Sequence, residues 1–247
     1  MKPILILQLR ENDTASDGEF NAFLRFGNLD ENDVVRVRME RDGVPDFSLN
    51  DYSGVIIGGG PWNVSDPLEK QPLPQQESEA SLAPILKEII ENDFPFFGAC
   101  YGLGILSKVL GTSISKEQFT EPVAPVEINL TESGIEDPLL KNMPETFLAL
   151  GGHKEAVQDT PSGSVLLASS KDCPVHLIRV GSNIYASQFH PELDIEGICT
   201  RIDVYKHAGY FPPEDAEDLK AEIRLSAEVT APMEIFRHFV DLCRKQN

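Results

Sequence analysis

The chain has 247 residues, long enough for one α/β domain with a substantial core, and no shift in composition divides it. It carries 21 basic against 40 acidic side chains, a formal charge of −19 at pH 7, which argues against nucleic acid or an anionic membrane as a direct partner. No stretch approaches the ~20 apolar residues of a membrane span, and the apolar run at the N-terminus is too short for a signal peptide.

The predicted elements alternate. Ile4 to Leu9 reads as a buried strand, and Glu19 to Asn28 as a helix with Phe20, Phe23, Leu24 and Gly27 on one face. Val34 to Met39 and Gly54 to Ile57 are the next strands. Prolines at 61, 67, 72 and 74 make the stretch Pro61 to Pro74 a loop, either a lid or a plain surface excursion. A helix over Glu77 to Asn92, a strand over Pro95 to Ala99 and a helix from Tyr101 to Leu110 follow, the last stopped by Gly111.

Beyond this point short β-rich runs dominate: Val123 to Leu130, Thr146 to Leu150, Val165 to Ser169, Val175 to Val180 and Asn183 to Gln188, with Gly181-Ser182 as a hairpin turn. Ile195, Ile198, Cys199, Ile202 and Tyr205 fall at helical spacing and read as core. Two further helices form a C-terminal extension from about residue 208, the last with Met233, Phe236, Phe239, Val240 and Cys243 on its apolar face. The pattern predicts a mainly parallel central sheet flanked by helices, with an antiparallel extension, within one domain spanning 1–247.

Three segments carry chemistry. Gly98-Ala99-Cys100-Tyr101-Gly102 puts a cysteine in a glycine-flanked turn between strand and helix, the cysteine counterpart of a nucleophile elbow. At a helix N-terminus the dipole favours thiolate, so Cys100 is expected to be partly ionised at neutral pH; a buried cysteine in a packing turn would fit the same residues. Phe189-His190-Pro191-Glu192 ends a strand with an imidazole and a carboxylate two positions on, able to face one site or simply to cap a loop. Gly58-Gly59-Gly60-Pro61 follows a strand without the spacing of a nucleotide-binding loop, and suits a flexible turn or a set of N–H groups for an oxyanion. Cys100, Cys173, Cys199 and Cys243 lie far apart with no C-x-x-C pair, a pattern that suits a reducing cytoplasm and offers no zinc framework.

In this order and at these separations, the three segments resemble the class I (triad) glutamine amidotransferase family over roughly residues 1 to 200. Within it the chain is most similar to stand-alone members compared with the glutaminase domain of GMP synthase, and nothing resembles an ATP-pyrophosphatase domain. The resemblance implies a flavodoxin-like fold, Cys100 as nucleophile, His190 as general base and acid, and Glu192 as the residue that orients it. It implies backbone N–H groups of Gly60 and Tyr101 as the oxyanion hole, with Gly59, Gly104, Gly151, Gly152 and His153 as substrate-pocket candidates. His153 could equally be a surface histidine at a strand end.

Gly104 stands where the family usually has a substrate-holding glutamine, which leaves a γ-glutamyl peptidase or hydrolase as the rival to a glutaminase. A non-catalytic regulatory or binding component is the reading of another class. Neither metal nor organic cofactor is implied. The substrate would be glutamine or a γ-glutamyl compound, and the partner a separate synthetase subunit.

Overall fold

A computed structural model describes residues 2–226 and 229–245. β1 (Ile4–Gln8) is the second strand from one edge of a nine-stranded sheet and is buried along its whole length. Its alternate side chains serve two cores: Leu5 and Leu7 join Val55, Ile57 and Phe96 on one face, while Ile4 and Ile6 join Ile56 and Phe97 on the other. A strand covered on both faces reads as a continuous apolar run, which is why this segment was legible.

In chain order the remaining elements are α1 (Asp13–Gly27), β2 (Val34–Arg38), α2 (Met39–Asp42), β3 (Gly54–Ile57), α3 (Leu73–Glu91), β4 (Phe96–Ala99) and α4 (Tyr101–Val109). They continue as β5 (Ile114–Ser115), β6 (Glu121–Leu130), α5 (Glu132–Glu136), β7 (Thr146–His153), β8 (Ala156–Val157), β9 (Ser164–Ser169), β10 (Leu177–Val180) and β11 (Ile184–Ser187). α6 (Ile195–Tyr205), α7 (Ala216–Leu225) and α8 (Ala231–Lys245) follow. The large sheet runs β2-β1-β3-β4-β11-β10-β9-β6-β7. Pairings from β2 to β11 are parallel and those from β11 to β7 antiparallel, as the alternation predicted. A separate two-stranded sheet pairs β5 with β8.

Two boundaries differ from expectation for identifiable reasons. α1 starts at Asp13 rather than near Glu19, because the Asn12 side chain accepts the Ala15 N–H at 3.1 Å and caps a turn that the apolar periodicity did not reach. α3 starts at Leu73, inside the stretch expected to be loop. Pro72 and Pro74 fall at its N-cap and first turn, where a proline's missing N–H costs nothing.

The C-terminal helix packs on the body of the protein. Met233, Phe236, Phe239, Val240 and Cys243 are all buried, and the Phe236 ring lies 5.2 Å from Phe23 and 6.4 Å from Phe97.

Strand register brings the three chemical segments together. β4 runs between β3 and β11, with Ile57 opposite Gly98, Gly98 opposite Ala186, and Ala99 opposite Ser187. The carboxyl ends of three parallel strands therefore release Gly58–Gly60, Cys100 and Phe189–Glu192 at one edge, where ligands sit in open α/β sheets.

Candidate active site

Cys100 caps α4 with φ 52° and ψ −92°, a conformation that costs a non-glycine residue about 1–3 kcal/mol and is typical of a displayed nucleophile. Close packing holds the turn. A Cβ on Gly98 would lie 2.6 Å from the Gly102 carbonyl carbon, and one on Gly102 would lie 2.7 Å from Ile57 O. The Cys100 N–H donates to Ser187 O at 2.7 Å, tying the turn to β11.

His190 is buried, and its Nδ1 lies 3.0 Å from Glu192 Oε1. Donation from Nδ1 leaves the Nε2 lone pair free, and His190 lines the same cleft as Cys100. Gln188 Nε2, at 3.7 Å, is the hydrogen-bond partner of Cys100 Sγ; among the described residues no hydrogen bond joins the sulfur to the imidazole. Gly59 lines neither cleft beside Cys100 but packs under the ring, since a Cβ there would collide with His190 Cε1.

Beneath this pair is a charge network that the sequence did not reveal. Arg201 Nη2 donates to Glu192 Oε1 at 2.7 Å and approaches Glu19 Oε1 at 3.5 Å; Arg10 Nε donates to Glu19 Oε1 and Gln8 Nε2 to Glu19 Oε2, both at 2.8 Å. Two guanidinium groups thus balance two buried carboxylates. Burial works to raise the Glu192 pKa, but His190 and Arg201 outweigh it and keep the carboxyl ionised well below the usual range. Burial also lowers the His190 pKa, with Arg201 and Arg10 adding to the effect and Glu192 opposing it, so the ring is neutral at pH 7.

The thiol corrects an expectation. Burial, reinforced by the negative charges of Glu155 and Glu192, pushes Cys100 up to about 12, so the resting residue is a thiol rather than a thiolate. Desolvation outweighs the helix N-terminus here.

Two clefts meet at Cys100 and share Gly60, Cys100 and Tyr210. The one on the His190 side includes Gly151, Gly152, Arg10 and Arg201 together with an apolar wall of Val123, Leu193, Ile198 and Ile202. Part of the α6 stripe expected to be pure core therefore also faces this cleft. The other includes Tyr101, Gly104, His153, Glu155 and Gln188. Among the described residues, the N–H groups of Gly60 and Tyr101 make no backbone hydrogen bond.

Gly104 lets the loop after the triglycine close in. A Cβ there would stand 3.2 Å from Val64 Cγ2 and 3.6 Å from Glu155 Oε1. The Glu155 carboxylate accepts the N–H groups of Val64 and Ser65, each at 2.8 Å, so the inner part of the proline-rich stretch is tethered and does not form a free lid. Tyr210, in the segment after α6, lines both clefts, with Lys154 Nζ 4.4 Å from its ring centroid and donating to Ala208 O at 3.0 Å. His153 is not a surface residue: it lines the Gly104 cleft, and its Nε2 lies 2.9 Å from Glu121 Oε2.

At its carboxyl edge the sheet thus gathers a strained cysteine, a neutral histidine and an ionised carboxylate. The family model described as glutamine amidotransferase class-I matches residues 24–197, and the chain belongs to that family.

Among curated proteins, it is 32% identical over 142 residues to the glutamine-hydrolyzing GMP synthase of Lactobacillus delbrueckii subsp. bulgaricus, covering 57% of this chain and 24% of that one. It is 29% identical over 146 residues to one subunit of the glutamine-hydrolyzing GMP synthase of Sulfurisphaera tokodaii, covering 59% and 70%. The matched region thus spans about a quarter of the length of the Lactobacillus GMP synthase.

Two solved structures share the fold. A glutamine amidotransferase of Thermotoga maritima has a TM-score of 0.76 at 18% identity, with 97% of both chains covered. A glutamine amido transferase of Methylobacillus flagellatus has a TM-score of 0.71 at 18% identity, with 100% of this chain and 95% of that one covered. Among the described residues, no helix is long and apolar enough to cross a membrane.

Proposed function

We propose that this amidotransferase hydrolyses the side-chain amide of glutamine through Cys100, His190 and Glu192. As Cys100 Sγ attacks the amide carbon, its proton passes to His190 Nε2, and Glu192 stabilises the imidazolium through Nδ1. The oxyanion is received by the N–H groups of Gly60 and Tyr101. His190 then gives its proton to the leaving nitrogen, ammonia departs, and a γ-glutamyl thioester remains on Cys100. A water molecule, deprotonated by the again neutral His190, cleaves the thioester to glutamate and restores the thiol. With the thiol near 12, proton removal accompanies attack rather than preceding it. Proton transfer of this kind typically contributes about 10²–10⁴-fold, and one oxyanion donor about 10²–10³-fold.

The observation that carries this reading is the His190–Glu192 hydrogen bond at 3.0 Å, which fixes the tautomer whose free nitrogen serves the cleft of Cys100. The similarity to one subunit of a GMP synthase supports consumption of the ammonia by a separate synthetase subunit. The reading is tested by assaying glutamate and ammonia released from glutamine, with Cys100→Ala as control.

A second reading rests on the apolar wall of the His190-side cleft. The leaving nitrogen must face His190, so a γ-glutamyl amide of an apolar amine would place its amine portion there. Comparing amine release from such amides with ammonia release from glutamine separates the two.

A further inference from the structure

Away from the His190–Glu192 pair, a second buried cluster contains Glu121 at the start of β6, His153 directly opposite it at the end of β7, and Cys173 and His176 in the connection from β9 to β10. Nitrogen atoms of both histidines and the Cys173 sulfur lie within 4.8 Å of one another. Glu121 Oε2 is 2.9 Å from Nε2 of each imidazole. Among the described residues, no lysine or arginine pairs with Glu121; its ion-pair partners are the two rings. This distinguishes it from the other close group, Glu19, His190 and Glu192, whose carboxylates already have Arg10 and Arg201 as cations.

The hydrogen bonding around His153 orients its ring. Its Nδ1 lies 2.9 Å from the Glu155 carbonyl oxygen, which can only accept, so Nδ1 carries a proton and Nε2 is the nitrogen turned toward Glu121. A ring N–H donated to a backbone carbonyl is also the usual support of a metal-bound histidine, and Ser170 Oγ supports Glu121 by donating to Oε1 at 2.5 Å. Cys173 and His176 stand three residues apart, a ligand spacing found in structural zinc sites.

We propose that Glu121, His153, Cys173 and His176 form a closed structural site for a divalent transition-metal ion, zinc by the chemistry of its donors. The ion bonds to Oε2, to Nε2 of each histidine and to Sγ. Such a site has Zn–N of about 2.0 Å and Zn–S of about 2.3 Å. Cys173 loses its proton to solvent, and the His176 proton moves to Nδ1, which is buried and has no partner. Thiolate and carboxylate then neutralise the ion, with no net charge left in the core.

The ion would brace the wall of the Gly104 cleft. The His176 carbonyl accepts the Gln188 N–H at 2.8 Å, and His153 holds the Glu155 backbone. Metal binding here is independent of the proposed reaction.

The test is metal analysis of the full chain after equilibration with zinc and gel filtration, alongside Cys173→Ser, His176→Gln and a Cys199→Ser control. The native chain and the control retain equimolar zinc, whereas the two site variants bind at least tenfold more weakly. Cobalt in the native chain gives a tetrahedral d–d spectrum with a thiolate charge-transfer band. No retained zinc in the native chain, or equal retention in all variants, overturns the site. Should the variants fail to fold, the cobalt spectrum of the native chain decides, and a spectrum without the thiolate band overturns it.

Discussion

Arg201 Nη2 lies 2.7 Å from Glu192 Oε1, the same oxygen that His190 Nδ1 reaches at 3.0 Å. Arg201 thus acts on the imidazole through the carboxylate, holding Glu192 ionised and lowering the His190 pKa. Replacing Arg201 with Met leaves Glu192 buried without its cation, a loss of about 3–5 kcal/mol for a broken buried pair. We expect a lower thermal midpoint, a fall in kcat and an acid limb of kcat/KM moved to higher pH, with partial recovery in Arg201→Lys. An unmoved acid limb would show that Arg201 is merely structural.

The pH profile follows from His190. Its folded pKa is below 6.5, so the neutral base persists as pH falls through 6.5 and is lost only when pH passes through the lower folded value. Activity against glutamine should therefore be flat above pH 6.5 and decline below it. The same shift stabilises the fold fully above 6.5 and less as pH falls toward the folded pKa, because the unfolded chain takes up the proton first. A half-maximal kcat/KM above 6.5 would contradict the burial of this ring.

Alkylation distinguishes exposure from ionisation. Cys173, Cys199 and Cys243 are buried while Cys100 is only partly so, and iodoacetamide should modify Cys100 first. With its pKa near 12, the rate should keep rising as pH increases beyond 9, the ordinary thiol value, without a plateau at neutrality. Peptide mass spectrometry across pH checks both points, and a plateau near neutrality would restore the thiolate expected from the helix N-terminus.

Gly59→Ala places a methyl group against His190 Cε1. Displacing the ring by an ångström is expected to reduce kcat about 100-fold while circular dichroism stays native. Unchanged kcat would mean that the ring already has another working position.

The strands of the sheet were legible because burial on both faces or alternation leaves a pattern in consecutive residues, as in Ile4 to Gln8. That Cys100 and His190 line one cleft was legible through three short segments at the ends of parallel strands. The Arg10–Glu19–Arg201–Glu192 network was not, since residues almost 200 positions apart carry no joint local signal. The α6 apolar stripe likewise gave no sign that Ile198 and Ile202 also face a cleft, or that Tyr210 beyond it shares that cleft with Cys100. Cysteine spacing alone missed the grouping at Cys173, whose neighbours are histidines and a carboxylate drawn from three strand ends.

The central claim is that Cys100 forms the covalent intermediate. Acid-quenching the native chain with glutamine and mapping peptides by mass spectrometry should give a γ-glutamyl adduct on Cys100, absent from Cys100→Ala, which also releases no ammonia. A Cys100→Ala chain that still hydrolyses glutamine at the native rate, with no adduct on the native cysteine, would contradict it.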